Sequence, residues 1–83
     1  MLQIYIAQHC WGCDEALAIG HEAAQRFPRL RVEIVDLDEE GARRPEEVIA
    51  VPTFLLEDRV ISLGNPKPEW LFERIAQALE RGG

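Results

Sequence analysis

Three observations predict an α/β fold built on a four-stranded mixed sheet with helices covering its faces. A strand pattern, a helical pattern and a second strand follow one another with no hairpin turn between them, which is the signature of a parallel β-α-β unit. Two later apolar runs flank a short polar turn, as in an antiparallel hairpin. An amphipathic stretch then closes the chain. The resulting order is β-α-β-β-β-α.

The first strand covers Leu2 to Ala7, where Leu2, Ile4 and Ile6 alternate with Gln3 and Tyr5. A helix is predicted from Trp11 to about Arg26, because Cys13, Leu17, Gly20, Ala24 and Phe27 recur at spacings of three and four. Asp14 and Glu15 in its first turn and Arg26 in its last suit the helix macrodipole. Gly20 weakens the helix but permits close packing on a sheet, and Pro28 stops it. The run "LRVEIVDLD", with Val32, Ile34 and Val35, is the second strand. Right-handed crossover places the helix on one face of the sheet.

"EEGARRPEEVIA" contains Gly41 and Pro45, so it holds at most a short helical turn, Pro45 to Ile49, with proline at its first position. "VPTFLLEDRVISLG" is the hairpin, divided by Glu57-Asp58-Arg59. In the closing helix Asn65 is the expected cap, Phe72, Ile75, Ala76 and Leu79 form the inward stripe, and Gly82 lies just past the end. Trp70 is expected to pack at the sheet's edge.

With 83 residues there is material for one small domain and no second core. Apolar runs of about seven residues are too short to span a bilayer, and "MLQIYIA" lacks the basic leader of a signal peptide. A cytoplasmic protein, with no membrane partner and a monomer in solution, is therefore expected. The net charge is −6, and seven of the fifteen acidic residues lie between Glu33 and Glu47. That balance argues against a nucleic-acid partner, which requires clustered Lys and Arg. It fits a solvated acidic face.

The stretch "IAQHCWGCDEAL" carries the only two cysteines, Cys10 and Cys13, where the strand ends and the helix begins. In a reducing compartment such a pair is more often catalytic or metal-binding than a staple. The loop it closes is also too small to constrain the unfolded chain much. Placed at the junction, with Cys13 one turn inward, Cys10 faces unpaired amide N–H groups and the positive end of the dipole, which stabilise a thiolate and lower its pKa. A thiolate is the attacking species in disulfide exchange. The spacing brings the second sulfur close enough to attack a mixed disulfide on the first. Gly12 gives the turn latitude, and Trp11 offers an apolar surface beside the reactive sulfur, with little core to pack into. His9 adjoins Cys10 and is a candidate modulator of its charge; a solvated loop histidine is the alternative. His21 is expected at the surface.

"CWGC" at a strand-to-helix junction, "VPT" at residues 51–53 opening the hairpin, and Gly64 after its second strand together resemble the thioredoxin/glutaredoxin superfamily. The resemblance spans residues 1–83 as a single thioredoxin-like domain, without thioredoxin's extra first strand and helix. It implies a thiol–disulfide oxidoreductase in which Cys10 attacks and Cys13 resolves. It also implies that Trp11, Gly12, Val51, Pro52, Thr53 and Gly64 contact substrate, with Pro52 as a cis-proline and Val51 offering backbone hydrogen bonds. Local sequence alone equally allows a trans Pro52 at a strand's first residue, and Gly64 as a simple loop glycine. The implied partners are a disulfide-containing protein and a reductase or thiol donor, and no cofactor is required.

Two departures bear on the electron donor. The buried acidic residue of thioredoxins falls on Ile4 here. The Gly-Gly-x-Asp-like turn and basic residue with which glutaredoxins bind glutathione are replaced by "LGNPK" and by Gln8-His9. Glutaredoxins share the first departure; the second argues against glutathione as the reductant, although Asn65 and Lys67 are candidates to hold a carboxylate. Two rival classes are a metal- or iron–sulfur-binding glutaredoxin-like protein and a non-catalytic binding module of the same fold. A single zinc is not expected, because His21 lies about 12 Å along the helix from Cys13.

Overall fold

The computed structural model describes residues 1–82. Its elements are β1 (Leu2–Ile6), α1 (Cys13–Arg26), β2 (Val32–Asp36), β3 (Thr53–Leu56), β4 (Arg59–Leu63) and α2 (Pro68–Gly82). The strands form one mixed sheet in the order β2-β1-β3-β4. β1 and β2 are parallel, with Leu2 opposite Val32 and Ile6 opposite Asp36. β3 is antiparallel to β1, with Ile4 opposite Phe54 and Tyr5 opposite Thr53, and β4 is antiparallel to β3. The hairpin turn is Glu57-Asp58 alone, because both residues hold positive φ (51° and 66°) and Arg59 already belongs to β4. Two successive left-handed residues give the twist that a two-residue hairpin needs, without the usual glycine.

Alternation divides the sheet into two unlike faces. Leu2, Ile4, Phe54 and Leu56 meet Ala16, Ile19 and Ala23 of α1 and Leu71, Phe72 and Ile75 of α2. Gly20 brings α1 down onto this face; a Cβ there would stand 2.8 Å from Ile4 Cδ1. Both helices therefore share one face, so helices do not cover both faces as expected. The other face carries Tyr5 and Leu55, roofed by Val48 from the β2–β3 connection and flanked by Val35 and Leu37. No helix forms over Pro45–Ile49; the Val48 N–H donates to the Pro45 carbonyl at 3.0 Å and the chain turns there. A glycine, a proline and a run of exposed charges leave this connection one apolar plug, Val48, at 1% exposure. That is too little for an amphipathic helix.

At the helices the structure shifts four expectations. α1 begins at Cys13 rather than Trp11, because Gly12 holds φ 87° and so acts as a left-handed cap. Its buried stripe is Cys13, Ala16, Ile19, Gly20 and Ala23, so Ala24 faces solvent. α2 begins at Pro68, with the Leu71 N–H on the Lys67 carbonyl at 3.0 Å, so Lys67 and not Asn65 is its cap residue. Leu71 joins Phe72 and Ile75 in its buried face, and the helix extends to Gly82. Trp70 is partly exposed, with the Arg74 guanidinium 5.4 Å from its ring centroid. His21 is exposed, as expected.

Tyr5, buried under Val48, has its phenol pushed up from the ordinary 10.0 by burial and then by the charges of Glu33, Asp58 and Glu47. The native state thus keeps a proton that the unfolded chain releases. Its stabilising contribution is complete below pH 10 and is lost as pH rises from the unfolded value through the folded one. Tyr5 is the only tyrosine. A phenolate titration followed by absorbance should therefore give a single midpoint above 10, returning to 10 in denaturant; a native midpoint at or below 10 contradicts this packing.

Candidate functional site

The carboxyl ends of β1 and β2 lie side by side because the two strands are parallel, and the chain leaves β1 there to form the cysteine loop. The Leu37 N–H donates to the Ile6 carbonyl at 2.8 Å, and the Gln8 N–H donates to the Asp38 carboxylate. His9 follows with φ 57°. Cys10, half-buried, is bonded to Cys13 in a disulfide, with Cα atoms 5.5 Å apart. Cys13 is the first residue of α1, is 6% exposed, and donates its N–H to the Cys10 carbonyl at 3.4 Å. One sulfur is thus accessible and the other sits in the protein. Because the helix starts at Cys13, Cys10 lies one turn before it, and not at its first residue.

An open groove beside Cys10 is lined by Gln8, His9, Trp11, Gly12 and Asp14. Trp11 projects from it at 97% exposure. A fully exposed indole beside a disulfide is costly apolar surface with no partner in the chain.

The β3–β4 hairpin supplies the far side of this end of the sheet. Continuing the register of Tyr5 opposite Thr53 places Pro52 beside Ile6. The Val51–Pro52 bond is cis, Pro52 is buried, and its carbonyl accepts from the Gly64 N–H at 2.7 Å. Val51 is half-buried and precedes β3, so its backbone lies outside the strand ladder. Thr53, expected to contact substrate, is 0% exposed, and its hydroxyl donates to the Ala50 carbonyl at 2.5 Å. Its side chain therefore closes the turn around Pro52 and is not free for a ligand. A Cβ on Gly64 would meet no other atom of the chain within 4 Å. What demands glycine is its φ of 93°.

Asn65 is the residue that sequence reasoning misplaced. Its Nδ2 donates to the Gly12 carbonyl at 2.9 Å and to Glu15 Oε2 at 3.0 Å. Those bonds occupy both amide hydrogens, so Asn65 is not free to grip a substrate carboxylate. Lys67, beyond it, is exposed. The signal that could have found this was Pro68: proline at a helix's first position makes Lys67 the cap and releases Asn65 for another role.

Among the described residues, no group of three or more His, Cys, Asp or Glu side chains is arranged to hold a metal ion, and no helix is long and apolar enough to cross a membrane. No protein-family model matches the chain, and neither curated proteins nor solved structures provide a significant match.

Proposed function

We propose that the protein is a thiol–disulfide oxidoreductase of thioredoxin-like fold that acts on protein disulfides through the Cys10–Cys13 couple. The observation that carries this reading is the asymmetry of the pair: an accessible Cys10 bonded to a buried Cys13 that opens a helix. In the reduced state the first amides of α1, which lack intrahelical partners, favour a thiolate at this site. The Cys10 thiolate attacks one sulfur of the substrate disulfide; a Cys10–substrate bond forms, and the other substrate sulfur leaves with the electron pair and takes a proton. Cys13 then loses its proton and attacks Cys10 Sγ, so the second substrate sulfur leaves and is protonated. The substrate gains two electrons and the pair ends as the disulfide seen here. An external thiol donor restores the dithiol, and no cofactor enters the cycle.

A protein substrate suits the surroundings better than glutathione does. Trp11 offers an exposed aromatic contact, and Val51 an unladdered backbone, to a substrate chain. The acids at the loop, Asp14, Glu15 and Asp38, oppose a ligand bearing two carboxylates. A reducing compartment and action as a monomer complete the reading.

The reduced protein, free of metal and cofactor, should react with iodoacetamide at Cys10 at least about ten times faster than N-acetylcysteine at pH 7. It should also reduce a disulfide-linked peptide stoichiometrically. Alkylation no faster than the free thiol, together with an intact peptide disulfide, sinks the proposal.

A further inference from the structure

We propose that Asn65 is a positioning residue for the cysteine pair: its amide clamps the first turn of α1 and so holds Cys13 within bonding reach of Cys10. This rests on the dithiol–disulfide reading above and adds a determinant of its equilibrium. The two acceptors on Nδ2, the Gly12 carbonyl and the Glu15 carboxylate, bracket the first turn and enclose Cys13 between them. They also fix the amide's orientation, since the reverse placement would set Oδ1 against a carbonyl and a carboxylate. Oδ1 consequently points into the protein, where it is buried and accepts no hydrogen bond. A buried acceptor left unmet carries a desolvation cost, and here that cost accompanies the two bonds made at the other end.

Gly12 and Asn65 fit each other. A Cβ on Gly12 would stand 2.9 Å from Asn65 Nδ2, and the φ of 87° is itself a glycine conformation. The clamp is anchored behind. Gly64, its neighbour, donates to the Pro52 carbonyl at 2.7 Å, and the Ser62 hydroxyl donates to the Gly64 carbonyl at 2.8 Å. Asn65 therefore transmits the position of the β3–β4 hairpin to the start of α1, across 53 residues of chain.

This matters in the resolving step. The Cys13 thiolate attacks Cys10 Sγ; the Cys10–Cys13 bond forms, the bond from Cys10 to the substrate sulfur breaks, and that sulfur departs with the electron pair and is protonated. The chance that Cys13 stands at bonding distance sets the effective concentration for this closure. A first turn that frays lowers that chance and so weakens the disulfide.

The test is the dithiol–disulfide equilibrium in dithiothreitol redox buffers. Asn65→Ala should lower the equilibrium constant for forming Cys10–Cys13 about tenfold, about 30 mV toward a more oxidising couple. Loss of global stability alone does not move this readout in a folded variant. Glu15→Ala and Glu15→Gln both remove the charge, but only the glutamine keeps an acceptor for Nδ2. The alanine variant should therefore form the disulfide about threefold less favourably than the glutamine variant, and this pair decides the matter if Asn65→Ala does not fold. A change under twofold in folded Asn65→Ala, or identical constants for the two Glu15 variants, overturns the clamp. The equilibrium needs no turnover. A wild-type protein that fails the alkylation and peptide tests while Asn65→Ala still shifts the constant removes the oxidoreductase reading and leaves the clamp standing.

Discussion

Cys13→Ser should convert turnover into capture: incubated with a disulfide substrate, the variant accumulates a mixed disulfide on Cys10 and releases only the first substrate thiol. Steady reduction should fall by at least about a hundredfold, because escape then depends on a thiol from solution instead of one held in place. Cys10→Ser should abolish both capture and turnover, since Cys13 is 6% exposed and cannot reach a bulky disulfide. The contrast between the two variants is the useful part. A pair that merely stapled the loop would lose the same stability whichever cysteine was replaced, and neither variant would hold a substrate. Serine at the buried position costs about 1–2 kcal/mol for an imperfectly satisfied hydroxyl, so the variant stays folded and mass spectrometry of the adduct can be read. Equal capture by both serine variants, or by neither, contradicts the assigned roles.

Much of the fold was legible because it is written in local patterns. Alternation at Leu2, Ile4 and Ile6 identified β1, a helical pattern in place of a hairpin turn between the first two strands implied a parallel pair, and Gly20 implied a helix lying close to the sheet. The Cys10–Cys13 pair was placed at the right junction for the same reason. What local patterns do not contain is the partner of a backbone group far along the chain. Gly12 could be the second residue of a helix or its left-handed cap, and Asn65 is the distant contact that goes with the second choice. The helix start therefore moves by two residues, from Trp11 to Cys13.

The misassigned faces have a different cause. Hydrophobic periodicity says that an element has an inward side, but not on which side of the sheet it lies. For the connection between β2 and β3 the sequence allows at most a short helical turn, Pro45 to Ile49, and says nothing of the face it covers. Val48, buried against Tyr5 and Leu55, covers the second face without a helix. Thr53 was read through its neighbour Pro52 as a binding residue, yet a hydroxyl at the start of a buried strand must find an acceptor, and the Ala50 carbonyl is three residues away.

Phe54→Ala should be the most destabilising single truncation in the sheet. Phe54 is 0% exposed on an interior strand, stands opposite Ile4, and faces the layer formed by both helices. Removing a buried phenyl leaves a cavity and should cost about 3–5 kcal/mol, against a total on the order of 5–15 kcal/mol that is smallest for short chains. The urea midpoint should fall steeply with little change in slope. Phe54→Leu, which refills most of the volume, should recover all but about 1 kcal/mol. The Cys10–Cys13 bond offers little compensation, because a loop closed by a sequence separation of 3 barely restricts the unfolded chain. A loss under 1 kcal/mol would show that the core sits elsewhere. The hydrogen bonds behind the site use none of the Phe54 side chain: the Pro52 carbonyl accepts from Gly64, and Asn65 bonds Gly12 and Glu15. Activity in Phe54→Ala should therefore track the folded fraction, with the disulfide equilibrium of the folded molecules unchanged. Asn65→Ala is expected to do the reverse, shifting the equilibrium at little cost in stability. Measuring both quantities on both variants separates what keeps the sheet together from what sets the chemistry at its end.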